Sequence, residues 1–349
     1  MKKSLLVAAL ATTVSCAAYA QTNVTIYGIV DAGIAYKKNG NPAGNTLSME
    51  SGQQSGSRLG FKGREDLGGG LAAIFTLENG FNIDDGKLGQ GGRVFGRQAW
   101  VGLSGDFGAV KLGRQLTSLY TALDQIDPFH INLAGNAQKV FGYGTYATDP
   151  LARTDNTVSY FTPTINGFSA TVSYGLGEVP GDNTKNRNLG AALSYANGPL
   201  NVQAVYQKAN TTTAPAGLGG ATGDNRAILV GGTYDFRVVK AHLAYADNKI
   251  DGAPGNGKDR NWLVGASIPV GAAGTVMASY VRNDVKDLGA GKSDQYALGY
   301  TYALSKRTNL YTSYSYLKND ANVALNTWDD KKGLGENVQQ FNVGVRHQF

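Results

Sequence analysis

The chain closes on FNVGVRHQF, residues 341 to 349. Phe341, Val343, Val345, His347 and Phe349 share one alternating phase, and Asn342, Gly344, Arg346 and Gln348 share the other. A period of two with one apolar and one polar face is the pattern of a half-buried strand. The last residues of a soluble domain are ordinarily polar and frayed. An aromatic strand that runs to the final residue reads instead as part of a wall.

The same period recurs along the chain. In GFSATVSYG, Phe168, Ala170, Val172 and Tyr174 oppose Ser169, Thr171 and Ser173; in DQYALGYTYAL, Tyr296, Leu298, Tyr300 and Tyr302 oppose Gln295, Ala297, Gly299 and Thr301. Alternation with one wet face also builds soluble sandwiches, so the connections must decide. Sixteen candidate strands are counted, among them 23–36, 54–64, 71–79, 93–103, 108–115 and 156–163, ending at 339–349. Every second joint is tight (DLGGG at 66–70, SGDFG at 104–108, ANGP at 196–199), whereas the others are long and rich in Gly, Asn, Asp and Thr. Strict short and long alternation places all turns on one rim and all loops on the other, the layout of a transmembrane barrel with periplasmic turns and extracellular loops.

The N-terminus agrees with that destination. Lys2 and Lys3 precede an apolar run from about Leu5 to Val14, and Ala18-Tyr19-Ala20 forms an A-x-A cleavage pattern, so residues 1–20 are expected to be a secretory signal peptide and 21–349 the barrel. A competing reading makes Cys16 a lipid acceptor, but Thr13 stands where that motif wants a large aliphatic residue. Cys16 is the sole cysteine, so cleavage after Ala20 leaves no disulfide to hold the mature chain. Forty-eight Gly, nineteen Tyr and 17% charged residues suit many strands joined by tight turns. Beyond the leader no run of about 18 apolar residues is present, which excludes a helical membrane protein. Removing Lys2 and Lys3 leaves 30 basic against 26 acidic side chains, a net of +4 that is too mild and too scattered for a nucleic-acid partner.

In hydrocarbon an open strand edge strands N–H and C=O groups at several kcal/mol each, so the sheet must close and the last strand must pair with NVTIYGIVDAGIAY, residues 23 to 36. Phe349 then belongs to barrel closure and assembly, at a membrane interface. About sixteen strands leave an aqueous lumen.

NVTIYGIVDAGIAY, SRLGFKGREDLGGGLAAIFTLENGF, GRQAWVGLSGDFGAVKLGRQ, NTVSYFTP and the ending GVRHQF resemble, in family order, the Gram-negative general porins of the neisserial and β-proteobacterial type. That resemblance covers the whole mature chain and implies a sixteen-stranded antiparallel barrel in the bacterial outer membrane, assembled as a homotrimer among outer-membrane lipids. It implies passive diffusion of small hydrophilic solutes and inorganic anions, with the third extracellular loop folded inward.

A loop of about 116–155 stands out independently. It is rich in Leu, Ile, Phe and Tyr, which suits packing against a wall, and loops beyond ~12–15 residues are usually functional or disordered. Opposite it the resemblance implies a basic cluster at Arg58, Arg97 and Arg153. Arg58, Lys62 and Arg64 oppose Leu59 and Phe61 and are therefore expected to face the lumen. Arg97 shares phase with Ala99, Val101 and Leu103, and Arg114 with Val110 and Leu112, so alternation does not turn either inward. The bland reading of each arginine is a solvated rim charge or a ladder that binds lipid headgroups. Asp124 and Asp127 on the loop are expected to supply the opposing sign and a transverse field, giving mild anion preference.

Chemistry-bearing motifs are otherwise missing from the sequence. His130, His242 and His347 have no metal-ligand spacing, DNKIDG at 247–252 lacks the closing Glu of a calcium loop, and GLGGATG has no strand-to-helix context. The expectation is a non-enzyme without cofactor or metal. Two alternatives stay open: a substrate-selective channel, against which the Ser, Thr, Gln and Gly of the luminal phase speak, and a non-conducting surface barrel acting as an adhesin or structural protein.

Overall fold

The computed structural model describes residues 23–38, 44–142, 151–211, 222–253, 257–287, 290–325 and 334–349. The expected signal peptide, with Cys16, lies outside the described residues, as do residues 143–150 of the long loop. The strands are β1 (Asn23–Lys38), β2 (Thr46–Ser51), β3 (Arg58–Gly68), β4 (Leu71–Gly80), β5 (Gln98–Gly105), β6 (Gly108–Leu116), β7 (Arg153–Phe161), β8 (Phe168–Gly175) and β9 (Asn188–Asn197). They continue as β10 (Leu200–Thr211), β11 (Thr222–Asp235), β12 (Lys240–Ala253), β13 (Gly257–Val270), β14 (Gly274–Val285), β15 (Gly291–Ala303), β16 (Thr308–Asn319) and β17 (Val338–Gln348). Two helices, α1 (Ser118–Ile126) and α2 (Ala137–Val140), stand between β6 and β7. No described helix is long and apolar enough to cross a membrane.

All described strand pairs are antiparallel, and from β3 onward each strand pairs with its neighbour in sequence. β17 returns to β1 in register from Ile29↔Gln348 to Lys38↔Gln339, which closes the barrel. β1 meets β3 through Asn23–Ile29 and β2 through Ala32–Lys37, so β2 and β3 are two lengths of one stave. Seventeen segments therefore make sixteen staves, the expected number.

The stave expected at 54–64 is broken instead into β2 and β3, with residues 52–57 between them. Residues 52–57, GQQSGS, leave the wall and are held inside by Asp31, whose carboxylate accepts N–H bonds from Gln54 at 2.9 Å and Ser55 at 2.6 Å and an O–H bond from Tyr311 at 2.6 Å. A polar, Gly-rich stretch reads alike whether it lies in an outer loop or turns into a lumen, and only the buried carboxylate selects the second.

Outward positions carry Val24, Ile26, Val101, Leu243, Trp262, Leu298 and Phe341, all exposed as a surface in hydrocarbon requires. The inner face departs from the expected polar lining. Val205, Ala209, Leu229, Ala244, Leu263 and Val281 point inward from β10 to β14, and form one apolar cluster with Leu119, Leu123, Ile126, Val140 and Phe141 of the long loop. An apolar patch inside a water-filled barrel is stable because the loop covers it; at ~25 cal/mol per Å² of buried apolar surface, each such side chain contributes about 1.5–3 kcal/mol to the docking.

Candidate functional site

The loop crosses the lumen rather than the rim. Thr117 caps α1 by accepting the Tyr120 N–H at 3.1 Å, and Leu119, Ala122, Leu123 and Ile126 fall on one face at helical spacing, buried against β10 to β12. The cap and the spacing are both present in TSLYTALDQI, and were the signal by which a helix could have been read inside the loop. His242 on β12 donates through Nδ1 to the Ile126 carbonyl at 2.6 Å, and the Asn248 amide donates to Phe141 O at 2.9 Å. On the other side, Ser313 on β16 accepts the Ala134 N–H at 3.0 Å, and Gln295 on β15 donates to Ala134 O at 3.2 Å. The inward 52–57 excursion completes the set through Gln53 O, which accepts Leu133 N–H at 2.6 Å.

Two acids of the loop take different places. Asp124 lines an open cavity of about 660 Å³ together with His130, facing Arg58, Arg97, Lys240 and Arg346. Partial burial holds its carboxyl above the usual carboxylate range. Asp127 is turned away from the passage into the loop's own interior, fully buried, where it accepts the N–H groups of Phe129, Ile131 and Ala137, each at 3.0 Å. Burial pushes Asp127 up to about 6, opposed by those three amides. Its geometry is that of a clasp for the loop backbone, which differs from the expected eyelet acid.

Three of the five basic residues meet. Arg58, Arg97 and Arg153 line one cavity of about 240 Å³ with Tyr120. Arg97 Nε donates to Glu78 Oε1 at 2.7 Å, Arg58 Nη1 lies 4.0 Å from the same oxygen, and Tyr27 donates to Glu78 Oε2 at 2.9 Å. Arg153 lays its guanidinium over the Tyr120 ring at 5.3 Å, and its Nε is buried with no hydrogen-bond partner among the described residues. Glu78 is the carboxylate that contacts the guanidinium groups, while Glu50 in the same lining pairs with Lys37, which leaves the cluster cationic.

Arg97 reaches this cluster because it precedes β5. The alternation of Ala99, Val101 and Leu103 begins only at Gln98, while Arg97 sits in a bend whose N–H is held by Glu78 O at 3.2 Å, so strand phase does not govern its side chain. Arg114 is buried in register opposite Ala99, donating to Gly96 O at 2.7 Å and to Asp155 at 2.5 Å, and does not line the cavity that the three arginines share. Asp155 also binds Arg93 at 2.8 Å. A register shift between Gly113 (φ 131°) and Gln115, opposite Asn156 (φ 52°), marks the bulge that seats this pair. Lys62 faces the lumen four residues down β3 from Arg58, about 13 Å along the strand, with its ammonium 5.3 Å from the Tyr27 ring centre. Phe349 exchanges backbone hydrogen bonds with Gly28, each 3.1 Å.

Glu78, Asp31, Tyr120, Lys240 and Arg346 were not singled out by the sequence. Glu78 and Arg346 lay in plain view on the polar phases of LENG and GVRHQF, but which level of the barrel a polar residue reaches depends on shear and loop docking. Among the described residues no group of three or more His, Cys, Asp or Glu is placed to hold a metal.

The arrangement is a water-filled barrel narrowed by a docked loop, with a cationic wall facing an acidic loop residue. A family model described as Gram-negative porin matches residues 6–323. An outer membrane porin protein of Bordetella pertussis is 37% identical over 402 residues, and outer membrane porin protein 32 of Delftia acidovorans 36% over 360, each alignment covering 100% of both chains. Among solved structures, the anion-selective porin from Comamonas acidovorans superimposes with a TM-score of 0.81 at 35% identity, over 94% of this chain and 100% of that one. The chain belongs to the Gram-negative porin family of the bacterial outer membrane.

Proposed function

We propose that this protein is a general diffusion porin with a mild preference for anions, working as a homotrimer. The observation that carries the reading is the convergence of Arg58, Arg97 and Arg153 on one luminal cavity, with Glu78 bound to the cluster and Glu50 of the same lining paired with Lys37. Two unit charges 5 Å apart interact by about 3 kcal/mol at an effective dielectric near 20. An anion entering the narrowed passage therefore gains a few kT, while Asp124 across the passage gives the field a transverse direction. The excess is modest, so cations are disfavoured and not excluded. The inward polar atoms offer no aromatic slide, in keeping with diffusion of small hydrophilic solutes rather than selection of one. The open cavity beside the loop speaks against a plugged, purely structural barrel.

In this reading Ile34 on β1 and Leu47 and Met49 on the paired β2, all exposed on the outward side, offer the apolar surface on which a second copy would seat. Residues 1–20 act in this reading as the export signal. The test is single-channel conductance in a planar bilayer, then the zero-current potential across a KCl gradient. Large steps in groups of three with a chloride-leaning potential support the whole reading. A potassium-leaning potential would overturn the charge assignment, and folded protein without conductance would overturn the porin function.

A further inference from the structure

Asp31 on β1 is fully buried and does not line the cavity of the three arginines. Its carboxylate reaches into the 52–57 excursion, where Oδ2 accepts the N–H groups of Gln54 and Ser55. Its main chain is tied to the same segment. The Asp31 N–H donates to Ser57 Oγ at 3.1 Å, and the Asp31 carbonyl accepts the Gly52 N–H at 2.8 Å and the Ser57 hydroxyl at 3.2 Å. One residue of the wall thus fixes Gly52, Gln54, Ser55 and Ser57.

The excursion in turn meets the arginines. The Gly56 carbonyl, between Ser55 and Ser57, accepts Arg58 Nε at 2.9 Å, and Glu78, 4.0 Å from Arg58 Nη1, is the looser partner. A Cβ on Gly56 would stand 2.8 Å from Arg97 Nη1, so the bare backbone lies against that guanidinium. Tyr311 on β16 secures the other carboxylate oxygen. Its hydroxyl donates to Asp31 Oδ1 at 2.6 Å from two staves away, roughly 10 Å at ~4.8 Å per strand. The ring reaches that far because it lies over glycines: a Cβ at Gly344 would stand 2.2 Å from its oxygen, and one at Gly33 2.7 Å. Tyr311 is itself buried. Both oxygens of Asp31 are therefore committed, one to the excursion and one to the wall behind it.

We infer that Asp31 and Tyr311 are positioning residues for anion passage: by fixing the 52–57 excursion they hold Arg58 through the Gly56 carbonyl, and Arg97 against the Gly56 backbone, at the edge of the narrowed passage. The inference rests on the anion-selective porin reading and adds residues that set its selectivity from inside the wall. An acid then promotes chloride preference. Its charge alone would act the other way, since a carboxylate beside the lumen repels anions, so the two roles have opposite signs. Coulomb attraction falls inversely with distance: an Arg58 released from about 5 to about 10 Å from a permeating ion loses about half its pull, and the water and salt that enter screen the remainder.

The test is the zero-current potential of the full barrel across a KCl gradient, with folding of each variant checked by migration of unheated against boiled samples. Asp31→Ala is expected to shift the potential toward potassium although it removes a negative charge, and Tyr311→Phe to shift it the same way by less although it removes none. In an Arg58→Gln background, Asp31→Ala should give little further shift toward potassium, because the guanidinium that it positions is gone. A shift toward chloride in Asp31→Ala would show a carboxylate acting by its charge alone and would overturn the inference. So would an unchanged potential in Tyr311→Phe, or an Asp31→Ala shift of equal size in both backgrounds. Should Asp31→Ala yield no folded barrel, Tyr311→Phe decides by the same signs in the same two backgrounds. A parent whose own potential leans to potassium would overturn the anion reading of the arginines, and the comparison of backgrounds would still decide whether Asp31 acts through Arg58.

Discussion

Arg97 donates from Nε to Glu78 Oε1 at 2.7 Å, although strand phase alone would have sent Arg97 into the membrane. The pair sets the charge of the narrowed passage, because Glu78 is the acid that Arg58 and Tyr27 also approach. Glu78→Gln should therefore move the zero-current potential further toward chloride, and Arg58→Glu toward potassium. Each is measured in a KCl gradient. No shift in either variant would separate selectivity from this cluster.

Ionic strength supplies an independent check on the same cluster. With a Debye length near 10 Å at 0.1 M salt and 3 Å at 1 M, chloride preference should be largest in dilute KCl and decline toward the mobility ratio of the ions in 1 M. A constant preference would mean that pore shape, not charge, discriminates.

Loop docking should respond to pH through Asp127. Its folded value, raised by burial to about 6, lies above the usual carboxylate value near 4. The docked loop therefore holds the proton more tightly than a released loop. Its stabilising contribution is complete below about pH 4 and is lost as pH rises through about 6, up to ~3 kcal/mol. Single-channel current noise from loop fluctuation is expected to be lower at pH 4.5 than at pH 7.5. Asp127→Asn removes this dependence and, by leaving amide donors short of an acceptor, raises noise at both values at a cost of about 1–3 kcal/mol.

Phe141→Ala tests the apolar seat of the loop. Phe141 is fully buried in the cluster with the inner wall, and truncation of such a side chain costs about 3–5 kcal/mol. Conductance should rise and grow noisier while the barrel itself stays heat-modifiable on gels. Unchanged conductance would show that the loop is held without this contact.

Closure is tested at Gly28. A Cβ there would stand 2.2 Å from Phe349 Cζ and 2.7 Å from Arg58 O, so Gly28→Ala must displace either the terminal ring or the neighbouring strand. The yield of folded barrel, read by migration of unheated against boiled samples, should fall sharply, as it should on deletion of Phe349.

The alternation of FNVGVRHQF, the short and long connections and the apolar outward phase by themselves determine the barrel, because the period of two and the need to satisfy every backbone group in hydrocarbon are local and general demands. Strand phase places Arg58, which alternates with Leu59 and Phe61, on the luminal side, whereas Arg114, within the Gly113–Gln115 register shift, does not line the cavity of the three arginines. It failed where the backbone leaves the strand: at Arg97 in its bend, at the 52–57 excursion held by Asp31, and at Asp127, whose partners are amides 2, 4 and 10 residues away. Which polar residues share one level of the lumen depends on the register of sixteen staves and on how a loop fills an apolar inner patch. Those are relations between residues distant in sequence, and only closure of the barrel fixes them.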